Sequence, residues 1–245
     1  TNELAFDTFV GSQATIIEAE DYNYAGGQFF DNPAPGAYNS LYGTPAVDFI
    51  DTTPNSFGTY RPTDSVDTAV TADVARESFV NAGVSDYQIG TIGAGEWWNY
   101  TRTIPSGNYT VWLRAASTAL QSVRLDRVTS DPAQPNQTVE LLGAFRVPRT
   151  GNLLNFEFVP LADYQGNPIV LSLGGKTTLR LTAPEANGNL VLNFLMLIPS
   201  SALPNSSTVV VMPAPGAANV AGNAPIQVVI YDGGASVDQN TVKMK

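Results

Sequence analysis

The 245 residues carry 12 Lys plus Arg against 22 Asp plus Glu, a net charge of −10 with no basic run, which argues against nucleic acid as a partner. Without Cys or His the chain has no disulfide framework, no thiol or Ser-His-Asp chemistry and none of the common zinc sites, so any hydrolysis would fall to carboxylates. A hydrophobic fraction of 43% with only 14% charged residues suits a folded β-rich protein, and no apolar run reaches membrane-spanning length.

Residues 1–13 are a lead-in with Leu4, Phe6, Phe9 and Val10, expected to pack along the first strand. Residues 14–20 read as that strand, and Glu18 and Glu20 fall on one face of it. Two carboxylates side by side repel, which is tolerable on a wet surface or around a cation. From Asp21 to Pro62 the chain is loop-rich and crowded with Tyr22, Tyr24, Phe29, Phe30, Tyr38, Tyr42, Phe57 and Tyr60. Aromatics on long loops either stack sugar rings or anchor the loops, and anchoring is the commoner fate. A short helical turn is expected near Ala72 to Glu77, then a strand over 86–92.

Residues 95–101 and 104–117 read as two arms of a hairpin turning at Pro105 to Asn108, rich in Thr, Tyr, Trp and Val. Parity puts Trp98 and Tyr100 on one face of the first arm and Trp97 and Asn99 on the other. Further strands are expected over 123–128, 138–145, 153–159, 169–173, 176–182 and 190–198, each bounded by Gly, Pro, Asn or Asp. That spacing predicts an all-β sandwich. Composition then shifts, giving residues 1–199 as the main domain, 200–207 as a linker and 208–245 as a further β segment. About forty residues are too few for an independent core, so the strands at 208–212 and 226–231 are expected to pair outside themselves.

Several motifs recur in a telling order: Glu18-Ala19-Glu20-Asp21-Tyr22, Tyr60-Arg61-Pro62 with Val66-Asp67, Gly95-Glu96-Trp97, Val147-Pro148-Arg149-Thr150-Gly151 and Leu179-Arg180-Leu181. Through them residues 14–199 resemble carbohydrate-binding module family 6. The resemblance implies a calcium-stabilised β-jelly-roll that binds glycans without cleaving them. It also implies Glu18 and Glu20 as calcium ligands, with Asn193 at a position where the family usually has Asp, so that one charge is lost. The family's loop-end sugar site commonly has an aromatic, a Trp and an Asn where this chain has Thr91, Leu153 and Val191. The tail resembles the start of an immunoglobulin-like domain, to be completed by downstream residues or a neighbouring copy.

The leading functional expectation is therefore a secreted or cell-surface, non-catalytic module that binds polysaccharide. Its candidate stacking platforms are Tyr42, Tyr60, Tyr87 and Trp97, with Asn99 as the polar neighbour of Trp97. The alternative is a structural or adhesive module of a surface protein or fibre whose sugar site has been lost. A glycosidase would need two acidic residues roughly 5 to 9.5 Å apart. Glu77, Asp86, Glu96, Glu140, Glu157 and Glu185 are scattered singly along the chain.

Overall fold

The computed structural model describes residues 13–53, 58–73, 85–204, 207–212, 220–225 and 227–231. The lead-in up to residue 12, residues 74–77 of the expected turn and the tail beyond residue 231 lie outside the described residues. Twelve strands follow in chain order: β1 (Thr15–Glu18), β2 (Phe49–Ile50), β3 (Thr68–Val70), β4 (Tyr87–Ile89), β5 (Glu96–Ser117), β6 (Gln121–Val128), β7 (Val139–Val147), β8 (Glu157–Ala162), β9 (Val170–Ala183), β10 (Leu190–Pro199), β11 (Ser207–Met212) and β12 (Gln227–Tyr231). The protein is all-β. The first ten strands form one sheet whose main path runs β3-β4-β10-β5-β8-β7-β6-β9, with β1 on β10, β2 on β5 and a further pairing of β5 with β9.

The predicted hairpin at Pro105 is not a chain reversal. β5 is one strand of 22 residues, and β9 runs antiparallel to it from Glu96↔Ala183 to Thr110↔Val170. Between Ile104↔Gly175 and Gly107↔Leu173 the register shifts, so Pro105 and Ser106 together oppose Gly174. Turn chemistry here serves a bulge: Pro105, which has no N–H to give a ladder, sits in the irregular step. Gly174 is required by close approach, because a Cβ there would meet Ser106 Oγ at 2.6 Å and Ser106 Cα at 3.0 Å. For the same reason the strands expected at 169–173 and 176–182 are a single β9, bent at Gly174 and Gly175, the latter at φ 69°.

The bend lets each long strand serve two layers. The first half of β5 pairs with β2 and the second half of β9, which in turn pairs with β6. The second half of β5 pairs with β10 and β8. Between the layers lies one core that includes Trp98, Tyr100, Tyr22, Phe49, Phe145 and Leu181. Parity along the first half of β5 thus holds for Trp98 and Tyr100, both fully buried. β11 and β12 pair with each other from Ser207↔Tyr231 to Met212↔Gln227 rather than with another element of the sandwich.

Candidate functional site

The acidic cluster is built where β1 ends beside a fault in β10. Glu18 pairs with Phe194, and the Ala19 N–H donates to the Asn193 carbonyl at 2.8 Å. Against β5, the β10 register shifts between Leu192 and Phe194, leaving Asn193 as the extra residue. Such a bulge re-aims a side chain, and Asn193 is turned fully into the interior. Glu18, Glu20 and Asp86 bring one carboxylate oxygen each to within 4.8 Å of one another. Asn193 Nδ2 donates to Asp86 Oδ2 at 3.1 Å and to Asp73 Oδ2 at 2.9 Å. Asp73 is gripped in a two-pronged pair by Arg114, Nε to Oδ2 at 2.8 Å and Nη2 to Oδ1 at 2.9 Å.

The electrostatics of this cluster suit a cation. Glu20 has its carboxyl pushed well above the usual range, first by burial and then by the charges of Glu18, Asp21 and Asp86. Glu20 Oε2 and Asn193 Oδ1 are buried with no hydrogen-bond partner among the described residues. Orphaned acceptors are costly in a dry interior, and a hard divalent ion with oxygen ligands satisfies them together. The donor set fits such an ion. Asp86 was missed in the sequence because it stands on the approach to β4, far from the other members along the chain. Its carboxylate makes good the charge that Asn193 lacks.

The sugar candidates do not converge. Tyr42 is 61% exposed on its loop. Tyr60 is only 1% exposed and donates its hydroxyl to Asp21 Oδ1 at 2.8 Å, so the expectation that it stacks a ligand is corrected to loop anchoring. Tyr87 is half-buried with its ring centroid 4.6 Å from that of Tyr60. Trp97 is half-buried beneath Arg180, whose guanidinium carbon lies 3.7 Å from the ring centroid. Asn99 shares the outward parity of Trp97 yet is fully buried, because loops cover it. Its Nδ2 donates to the Val47 carbonyl at 2.8 Å and to Gln137 Oε1 at 2.7 Å, and its Oδ1 accepts from Arg180 Nε at 2.9 Å. Asn99 thus orients Arg180 and has no surface for a ligand.

Thr91, Leu153 and Val191, the three departures from the family pattern, line one groove of about 240 Å³ with Leu154, Asp67 and Gln88. Thr91 is held at φ 50°, an uncommon conformation for a β-branched residue, and its carbonyl accepts from Thr53 Oγ1 at 2.9 Å. Among the described residues the groove is walled mainly by aliphatic groups and carries no aromatic ring.

No family model matches the chain, and no curated protein matches it. Among solved structures it is similar to the C-terminal family 6 carbohydrate-binding module of LamC, a laminarinase of Zobellia galactanivorans, at 18% identity and a TM-score of 0.45 over 76% of this chain and 98% of that one. A family 6 module of Clostridium stercorarium in complex with cellobiose is similar at 18% identity and a TM-score of 0.39, over 63% and 95% of the two chains. A β-1,3-glucan binding family 6 module of Bacillus halodurans is similar at 19% identity and a TM-score of 0.40, over 54% and 85%.

Proposed function

We propose that the chain is a non-catalytic, extracellular polysaccharide-binding module stabilised by calcium, spanning residues 1–199 and followed by a linker at 200–207 and a partial immunoglobulin-like segment at 208–245. The observation that carries the reading is the outer face of β5, β9 and β6. There the half-buried indole of Trp97 adjoins Arg180, itself fixed by Asn99 and Gln137, with Thr182 in the same ladder row as Trp97. A flat aromatic edge beside preset donors is what a sugar ring and its hydroxyls require. Exposed Tyr42 offers a second stacking surface away from β5.

Calcium is held by Glu18, Glu20, Asp86 and the Asn193 side-chain oxygen. Its part is structural, screening three buried carboxylates and tying β1, β4 and β10 together. The aliphatic groove at Thr91, Leu153 and Val191 favours the second reading, a structural or adhesive module that has lost its loop-end sugar site.

Retardation of the protein in gels containing soluble polysaccharides, with a parallel assay for reducing ends, tests the proposal. Retardation without new reducing ends, weakened in Trp97→Ala, is the expected result. Absence of retardation by every polymer would leave the structural reading standing.

A further inference from the structure

Resting on the reading that this outer face binds sugar, we propose that its ligand is an acidic glycan, one whose rings carry carboxylates. The ladder places the relevant groups in rows. Trp97 pairs with Thr182 and Thr182 with Arg124, while Asn99 pairs with Arg180 and Arg180 with Asp126. On β7, Arg146 pairs with Ser122, two residues before Arg124 and so on the same face. Three guanidinium groups, from Arg124, Arg146 and Arg180, therefore share one sheet face; of the carboxylates there, Asp48, opposite Asn99, is taken up by the N–H groups of Gly26, Gly27 and Thr44, which leaves that of Asp126.

That carboxylate is already committed. Asp126 is 1% exposed, accepts from Arg124 Nη2 at 2.8 Å and from Thr182 Oγ1 at 3.3 Å, and so offers no repulsive surface to an anion. The patch is a local inversion of a chain whose net charge is −10. At physiological ionic strength charges beyond about 8 Å are screened, so the near guanidinium groups decide which ligand is attracted. Burial lowers the pKa of Arg180 to about 10, with Asp126 raising it and Arg124 lowering it in smaller measure, and it remains cationic at neutral pH.

The guanidinium groups are also positioned in advance. Arg180, 8% exposed, has its guanidinium carbon 3.7 Å from the Trp97 ring centroid, donates to Asn99 and Gln137, and retains further N–H groups beyond those bonds. Arg124 has 39% of its side chain exposed, and Arg146, whose Nη2 donates to the Tyr164 carbonyl, is exposed. A planar carboxylate matches the guanidinium fork with two parallel hydrogen bonds, which a neutral sugar hydroxyl does not.

The test uses the whole chain in titration calorimetry and affinity electrophoresis. The probes are three uronate polymers (polygalacturonate, alginate and hyaluronan), the neutral β-1,3-glucan laminarin, and dextran sulfate. Expected is binding to at least one uronate polymer at least tenfold tighter than to laminarin, weakened several-fold between 50 and 300 mM NaCl. Arg146→Glu, at an exposed position, should lower that affinity tenfold or more with an unchanged melting temperature, and Arg124→Lys, which keeps a cation beside Asp126, should lower it several-fold by losing the planar fork. Binding to laminarin alone, insensitive to either substitution, would overturn the acidic ligand and keep the sugar-binding reading. Binding to dextran sulfate as tight as to every uronate polymer would reduce the patch to an ion exchanger and overturn it as well. Binding to none of the five would remove the sugar reading from this face altogether.

Discussion

Asn193 Nδ2 lies 3.1 Å from Asp86 Oδ2, so the amide that stands where a carboxylate is expected has a carboxylate directly beside it. The charge missing from the last strand of the sandwich is supplied from the approach to β4. Arg114, by holding Asp73 on the other side of the same amide, fixes how Asn193 is presented. The amide thereby directs its Nδ2 to the acidic groups, leaving Oδ1 as the acceptor to be satisfied.

Asp86→Asn is expected to weaken calcium binding by about 10- to 100-fold, and Glu20→Gln by at least as much. In the native chain, calcium at about 100 times its dissociation constant should add about 2.7 kcal/mol of stability. Calorimetric titration and melting curves with and without chelator check both statements. An unchanged melting temperature in chelator would remove the calcium assignment, whereas a native shift retained in full by Asp86→Asn would remove only Asp86 from the ligand set.

The carboxyl of Asp51 is raised to about 6 by burial and by its hydrogen bond to Glu96, whose Oε1 is already taken by the N–H and hydroxyl groups of Thr52 and Thr53. The folded state therefore holds a proton that the unfolded state has released between about pH 4 and 6. That contribution is full below the unfolded value and is lost as pH rises through about 6. Asp51 is half-buried, so screening reduces the effect, and Asp51→Asn should stabilise the protein at pH 7.5 by roughly 1 kcal/mol and by less at pH 4.5. Denaturant titrations at the two pH values decide it; equal effects at both would show that the proton is not shared.

What the sequence made legible was whatever is carried by neighbours along the chain. Glu18 and Glu20 could be placed together because they are two residues apart, although β1 ends at Glu18 and Glu20 reaches the cluster from the turn that follows; Trp98 and Tyr100 could be placed in the core by strand parity. Asp86 could not, because its part in the cluster depends on β4 meeting β10 at Ile89↔Leu192. Pro105 to Asn108 misled because Pro and Gly mark a bulge as well as a reversal, and the difference lies in the opposing strand at Gly174. Asn99 followed its parity to the outer face, but the cover provided by Val47 and Gln137 is a property of distant loops.

Gly174→Ala should cost about 1 to 3 kcal/mol, since the added Cβ would approach Ser106 Cα to 3.0 Å at the step where β5 and β9 bend together. Gly222→Ala, with nothing within 4 Å of its new Cβ, should change stability by less than about 0.5 kcal/mol. Chemical denaturation compares them. Similar small effects would mean that Ser106 yields easily and that the bulge is loosely packed.

The last contrast is between adjacent indoles. Trp98 is 0% exposed, pairs with Phe49 on one side and Leu181 on the other, and is among the largest side chains of the core. Trp97 is half-buried on the opposite face with Arg180 over its ring. Trp98→Ala should cost about 3 to 5 kcal/mol through lost burial and the cavity left behind, against about 1 kcal/mol for Trp97→Ala. Trp98 Nε1 is buried with no hydrogen-bond partner among the described residues, so Trp98→Phe removes an unsatisfied donor along with ring volume. Its cost should therefore fall well below that of Trp98→Ala, within about 2 kcal/mol of the native protein, because the cavity term is partly offset. Urea unfolding of the three variants measures all of these differences. If Trp97→Ala proved the more damaging of the two alanine variants, the cation-π contact with Arg180 would be a main strut of the sheet, and the outer face would have to be read as packing surface in place of binding surface.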